Sequence, residues 1–79
     1  MVTAYVLITC GLGHEAEIID EIKQLEDVKE VTVVFGAYDI LAKVESANVK
    51  NLMDTIAWKI RKLDRVRTTL TLMTIEGLE

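Results

Sequence analysis

Apolar and polar positions alternate with two different periods along this chain, and the changes of period divide it into elements. Val2–Cys10 is rich in β-branched and aromatic residues and stops at Gly11-Leu12-Gly13, which predicts a strand that ends in a turn. His14–Leu25 then carries Ile18, Ile19, Ile22 and Leu25 at helical spacing, with Glu15 and Glu17 in the first turn, where acidic groups suit the helix dipole. Val28–Phe35 returns to strand character, Gly36-Ala37 reads as a turn, and Tyr38–Val44 reads as a third strand. Val49, Leu52, Met53, Ile56, Ile60 and Leu63 form a long apolar stripe. With Ser46 or Asn48 as cap, it predicts a helix over about Ala47–Leu63. Arg65–Ile75 predicts a last strand, and Gly77-Leu78-Glu79 a tail.

The order is therefore βαββαβ, and the halves echo each other. Leu25-Glu26-Asp27-Val28-Lys29 resembles Leu63-Asp64-Arg65-Val66-Arg67, and Ala4-Tyr5-Val6-Leu7-Ile8 resembles Ala37-Tyr38-Asp39-Ile40-Leu41. Each match is expected at the same point of its βαβ unit. Two right-handed βαβ units side by side give an α+β, ferredoxin-like fold. Its four-stranded antiparallel sheet carries both helices on one face.

A sheet with one wet face alternates apolar and polar residues. The first strand does not: Ala4, Val6, Ile8 and Cys10 lie on one side, and Tyr5, Leu7 and Thr9 on the other. The second sets Val31, Val33 and Phe35 against Thr32 and Val34. The last sets Val66, Leu70 and Leu72 against Thr69, Thr71, Met73 and Ile75. Both faces are too apolar for water, so the free face is expected to meet the same face of a second copy. That arrangement is a two-fold dimeric α/β barrel.

Composition points the same way. Residues 1–79 have room for one small domain, whose core alone gives a thin stability margin. One cysteine excludes an intrachain disulfide. Apolar residues make up 51% of the chain, so self-association is the remaining support. The net charge of −4 argues against direct nucleic-acid binding. There is no long apolar run for a membrane helix and no basic signal start, and the single thiol fits the cytoplasm.

Few residues suggest chemistry. Cys10 and His14 could form a thiol–imidazole pair, but no third group orients the ring; a buried strand cysteine and a loop histidine explain them as well. A metal site would need more ligands than these two. Gly11-x-Gly13 before a helix lacks the third glycine of a dinucleotide fingerprint and the lysine of a P-loop, and reads as a plain turn. Lys59, Arg61, Lys62, Arg65 and Arg67 hold five of nine positive charges, as suits a helix C-terminal end. Glu15, Glu17, Asp20, Glu21, Glu26, Asp27 and Glu30 hold the opposite charge, and the clusters could meet within a chain or between copies. Trp58 lies roughly 200° around the second helix from Ile56, so it is either an interface anchor or partly buried against a loop.

The informative segment is Val33–Val44. Asp39 is expected just inside a strong strand, between Tyr38 and Ile40, where a carboxylate is costly to desolvate. It either accepts hydrogen bonds from a cationic amine or caps the hairpin's own N–H groups. Backbone groups at the Gly36 turn could hold a carboxylate, and an α-amino acid carries both groups.

The chain resembles the effector-binding (RAM) domain of the Lrp/AsnC transcription regulators over about Val2–Ile75. The likeness rests on Gly13 and the acidic helix start, Leu25-x-x-Val28, Gly36-x-Tyr38-Asp39-Ile40-Leu41-x-Lys43-Val44, and Val66-x-x-Thr69-x-Thr71. Leu12 stands where family members commonly carry proline. The resemblance implies a dimer with facing sheets, a ring of dimers, and amino-acid effectors bound in clefts between dimers. Gly36, Ala37, Tyr38 and Asp39 are then expected to line the cleft. Asp39 would meet the effector's amino group, and the backbone at Gly36 and Ala37 its carboxylate. Thr69 and Thr71 would supply hydroxyls, from a neighbouring copy where the geometry requires. Family members begin with a helix-turn-helix domain; here Val2 already starts a strand, so a stand-alone effector module is expected, with a full-length regulator as a possible partner. Two other readings remain. Small dimeric α+β-barrel enzymes of monooxygenase or isomerase type share the frame but need polar side chains in a cavity between sheet and helices; a purely structural assembly module needs no ligand. The expectation is a protein that is not an enzyme and carries no cofactor or metal.

Overall fold

The computed structural model describes residues 1–74. The elements are β1 (Val2–Cys10), α1 (Glu15–Lys23), β2 (Val28–Val33), β3 (Ile40–Ser46), α2 (Val49–Thr55) continued by a π-helical turn at Ile56–Ile60, and β4 (Val66–Met73). The strands form one antiparallel sheet in the order β2-β3-β1-β4, so this is the ferredoxin-like arrangement the pattern predicts. Ile75 and the Gly77–Glu79 tail lie outside the described residues.

The core lies between the sheet and the helices. Ala4, Val6, Ile8 and Cys10 of β1 and Ile40, Ala42 and Val44 of β3 meet Ile18 and Ile22 of α1 and Leu52, Ile56 and Ile60 of the second helix. α1 packs chiefly on β2, and α2 on β3 and β1. The opposite face carries Tyr5, Leu7, Leu41, Leu70 and Leu72 in one patch. Leu7 pairs with Leu41 on one side and Leu70 on the other, and Tyr5 pairs with Leu72. Leu70 and Leu72 are 44% and 52% exposed, so this apolar face is uncovered within one chain.

The second helix differs from a plain α-helix. The Asn48 side chain caps it, accepting from Asn51 N–H at 2.8 Å, whereas Ser46 is the buried last residue of β3. Arg61 N–H reaches back to Ile56 O at 2.9 Å, five residues rather than four. This wider turn ends the α-helical register after Thr55. Leu52, Ile56 and Ile60 are buried, while Val49 and Met53 are exposed.

The two halves meet their strands through the same turn. Leu25 N–H bonds Ile22 O and Val28 N–H bonds Leu25 O; Leu63 N–H bonds Ile60 O and Val66 N–H bonds Leu63 O. The Leu25 and Leu63 segments are therefore equivalent in structure. The other echo is not: Ala4–Ile8 lies wholly within β1, whereas Ala37–Asp39 precedes β3.

One strand-face expectation is corrected. Val66 pairs with Cys10 and Thr69 with Ile8, both on the helix side, although they are three residues apart. The register shifts at Thr9/Cys10 opposite them, and a bulge of this kind reverses which side the residues before it face. Val66 thus packs against the core, on the same side of the sheet as Thr69 and Thr71 and opposite Leu70 and Leu72.

The helix register gives a direct check. Ile56→Ala opens a cavity in the core and is expected to cost about 2–5 kcal/mol in urea unfolding. Met53→Ala, on the same sequence stripe but exposed, is expected to cost under about 0.5 kcal/mol. Equal losses at both positions would contradict the burial of Ile56 and the exposure of Met53.

Candidate functional site

The C-terminal ends of β1 and β2 and the N-terminal ends of β3 and β4 share one end of the sheet. The β2–β3 connection projects from it. Val34 N–H bonds Asp39 O at 2.9 Å and closes the loop. Gly36 takes φ +133, a conformation that side-chain-bearing residues rarely adopt, and a Cβ there would meet open space. The strain therefore lies in the backbone and not in packing. Phe35, Gly36 and Ala37 are exposed, and Tyr38 and Asp39 are half-buried.

Asp39 lies immediately before β3, not within it. Its N–H bonds Ile8 O at 2.9 Å, which fixes it beside the end of β1. Its carboxylate Oδ2 accepts from the Cys10 N–H at 3.0 Å. The carboxylate thus caps the neighbouring strand and not the hairpin's own N–H groups. A carboxylate has about four lone-pair sites, and this bond uses one of them.

The same carboxylate faces the Cys10 thiol. Burial pushes that thiol above its ordinary value; the Asp39 charge, the Glu15 charge and the Asp39 carboxylate as hydrogen-bond acceptor add to the rise, and Arg67 opposes it. Such a thiol is held protonated and is a poor nucleophile. Cys10 and His14 share no hydrogen bond among the described residues. The His14 Nδ1 lies 3.5 Å from Glu17 Oε1 without hydrogen-bond geometry.

Thr69 and Thr71 do not join this turn within one chain. Thr69 pairs with Ile8, which pairs with Ile40, so two strand spacings, about 10 Å, separate Thr69 from the start of β3. Both threonines face the helix side of the sheet. On the strand next to Asp39 is a residue that hydrophobic patterning has no reason to single out: Thr9, whose hydroxyl shares a hydrogen bond with that of Thr68 on β4, on the open face. Cys10 also belongs to the site, through its backbone rather than its thiol. Pairing Ile8 with Ile40 from the hydrophobic pattern would have placed Asp39 beside this strand end.

The remaining candidates lie apart. Trp58 is 62% exposed, with Lys62 Nζ 4.5 Å from its ring centre. The acidic and basic clusters face each other across a groove of about 370 Å³ lined by Glu17, Glu21, Lys62 and Arg65, without an ion pair between them among the described residues. No helix among the described residues is long and apolar enough to cross a membrane.

The comparisons with known proteins meet this geometry at the level of the family. Residues 3–78 match the model of the Lrp/AsnC ligand binding domain, and the chain belongs to that family. An uncharacterized HTH-type transcriptional regulator of Pyrococcus furiosus is 35% identical over 75 residues, which cover 90% of this chain. The matched stretch spans 49% of that relative, so the chain corresponds to about half of its length. The crystal structure of a hypothetical protein from Pyrococcus horikoshii is 39% identical with a TM-score of 0.90, over 95% of this chain and 90% of that one. A protein from Thermus thermophilus is 33% identical with a TM-score of 0.92, over 100% of this chain and 99% of that one. A transcriptional regulator of Neisseria meningitidis, solved with L-Met, shares the fold alone: 9% identity and a TM-score of 0.85, over 99% of this chain and 52% of that one.

The thiol and the turn each give a measurable consequence. Because the folded pKa of Cys10 lies above its unfolded value, stability is complete below the ordinary thiol pKa and falls as pH rises past it toward the folded value. Cys10→Ala is expected to flatten that alkaline slope, read from denaturant midpoints between about pH 8 and 10. Gly36→Ala is expected to cost about 1–3 kcal/mol through the backbone alone; a neutral result in the same assay would contradict the loop conformation.

Proposed function

We propose that this chain is a non-catalytic effector-binding module of Lrp/AsnC type, which takes a small amino acid at the exposed turn before β3. The observation that carries the reading is Asp39: a carboxylate fixed at the open end of the sheet, one lone pair held by Cys10 N–H, beside an exposed Gly36-Ala37-Tyr38 turn. Asp39 pairs with the effector's ammonium. Backbone groups at Gly36 and Ala37 bind its carboxylate, and Tyr38 borders the cleft. Thr69 and Thr71 lie two strands away in the same chain, so their hydroxyls enter the site from a neighbouring copy. The L-Met bound by the Neisseria regulator of the same fold is an amino acid of the kind expected here.

The assembly follows from the exposed face. Two copies cover each other's Tyr5, Leu7, Leu41, Leu70 and Leu72, and dimers join into a ring whose clefts hold the effector. A cleft made by two dimers exists only when they associate, so binding shifts assembly. Regulation of transcription then runs through co-assembly with a full-length family member in the cytoplasm. Residues 1–79 act as a single domain in this reading.

The first test is a panel of the standard amino acids against the unfolding midpoint in denaturant. A ligand at about 100 times its Kd adds roughly 2.7 kcal/mol. One or a few amino acids are expected to shift the midpoint, and Asp39→Ala to abolish the shift. No shift from any of them would remove the amino-acid reading. Leu70→Lys places a charge on the apolar face and is expected to yield monomers in sedimentation velocity; dimers persisting in that variant would place the interface elsewhere.

A further inference from the structure

Two apolar features stand at opposite edges of the sheet, and neither is covered within one chain. The first is Phe35. β2 ends at Val33 and β3 begins at Ile40, so Phe35 lies on the connecting loop beyond the sheet, and it is fully exposed. Val34 N–H closes that loop on Asp39 O at 2.9 Å, so the ring is presented on a short, hydrogen-bonded turn and not on free chain. The second is a shelf on the helix side of the other edge. α2 packs on β3 and β1, and the edge strand β4 extends past it. The Thr55 hydroxyl of α2 points to the α1–β2 loop, where it donates to Asp27, and Leu52 and Ile56 point to the sheet. Val49 and Met53 follow on the remaining side of the helix, toward β4. On β4, Thr71 pairs with Val6 and Met73 with Ala4, so both face the helices. Val49, Met53 and Met73 are 51%, 43% and 38% exposed, which leaves an open apolar shelf beside Thr71.

The face-to-face contact proposed above covers neither feature. The shelf lies on the opposite side of the sheet, and Phe35 stands beyond the end of β2. Resting on the ring-of-dimers reading, we propose that Phe35 of one copy seats on the Val49–Met53–Met73 shelf of a copy in the neighbouring dimer. One chain cannot fill its own shelf, because β2 and β4 are three strand spacings apart, about 14 Å. The contact is head-to-tail: each copy gives one ring and receives one, as closure into a ring requires. A protruding aromatic side chain is the usual anchor of such a contact. Methionine suits the receiving side, because it is unbranched and its thioether packs favourably on an aromatic ring. The loop from Val34 to Asp39 carries one aspartate and no basic residue, so an anionic lipid surface does not suit it. The contact is also continuous with the proposed effector cleft. Phe35 and Asp39 share one closed loop, and Thr71 borders the shelf, so seating the ring brings Thr71 of one copy toward Asp39 of another.

The test replaces Phe35 with p-benzoyl-phenylalanine, whose photo-excited ketone joins to nearby C–H bonds. Isotope-labelled and unlabelled chains are mixed and irradiated, and the linked peptides are read by mass spectrometry. Links from residue 35 of one chain to Met53 or Met73 of another are expected, in species larger than a dimer. Phe35→Ala is expected to weaken association between dimers at least about tenfold in sedimentation velocity, while the dimers persist. Met53→Lys, which changes no buried position, is expected to do the same. Links confined to other surfaces, no species larger than a dimer in the parent protein, or parent-like assembly of Phe35→Ala would each overturn the proposal. The amino-acid panel keeps the two readings apart. Links to Met53 or Met73 without any midpoint shift would uphold this contact and remove the effector; a midpoint shift without such links would remove the contact alone.

Discussion

A right-handed crossover places its helix on one predetermined side of the sheet, and this chain makes two of them. Both helices therefore cover the same face, and the rest of the structure follows from that constraint. The covered face is filled by Ala4, Val6, Ile8, Ile40, Ala42 and Val44. The other face still carries Tyr5, Leu7, Leu41, Leu70 and Leu72. Each large apolar side chain is worth about 1.5–3 kcal/mol when fully buried. Tyr5, Leu7 and Leu41 are already half-buried, so covering the face adds only part of that value for each, which is still significant against the folding free energy of a small domain, about 5–15 kcal/mol. A chain of 79 residues has little core in reserve, so this face is its largest untapped source of stability. An isologous contact with a second copy, as proposed, would use it without further chain length.

Much of the frame is legible in the sequence because it depends on periodicity. β1 begins and ends where the β-branched run does, at Val2 and Cys10. The Leu25 and Leu63 segments show as a repeat because each closes its helix with the same pair of backbone bonds. What escapes is set by backbone events with no side-chain signature. The bulge opposite Thr9 and Cys10 turns Val66 toward the helices, and strict alternation cannot anticipate it. Val49 and Met53 flank the buried Leu52–Thr55–Ile56 side of α2 and stay exposed, although their spacing is that of a core helix. Ser46 resembles a helix cap in sequence but ends a strand, and only the register of β3 shows that it is buried.

The site is legible in kind but not in connectivity. An aspartate beside a strong strand, next to a glycine turn, marks a place where a carboxylate has a use. Which group it serves depends on the sheet order β2-β3-β1-β4, which brings the end of β1 beside Asp39. The sequence offers local hairpin N–H groups as partners; the fold supplies Cys10 N–H from a strand 29 positions away in the chain. Thr69 and Thr71 show the reverse. Their pattern suggests a polar contribution from β4, but β1 stands between that strand and the turn.

Capping by Asp39 and the ligand binding proposed for it are therefore compatible uses of one group. A free aspartate on a loop would have to be ordered and partly desolvated when a ligand arrives, and that cost would come out of the affinity. Here the Cys10 N–H, together with the Ile8 carbonyl that holds Asp39's own N–H, fixes the carboxylate as part of folding. Charge-assisted bonds of this kind strengthen an acceptor's orientation without exhausting its lone pairs. The end of β1 thus becomes the rigid support of the turn. β1 is also the central strand of the apolar face, through Tyr5 and Leu7, so the strand that supports the proposed effector turn also carries the face proposed to meet a second copy. Under the proposed reading, effector binding and assembly would share that one element, and coupling between them would require no other path.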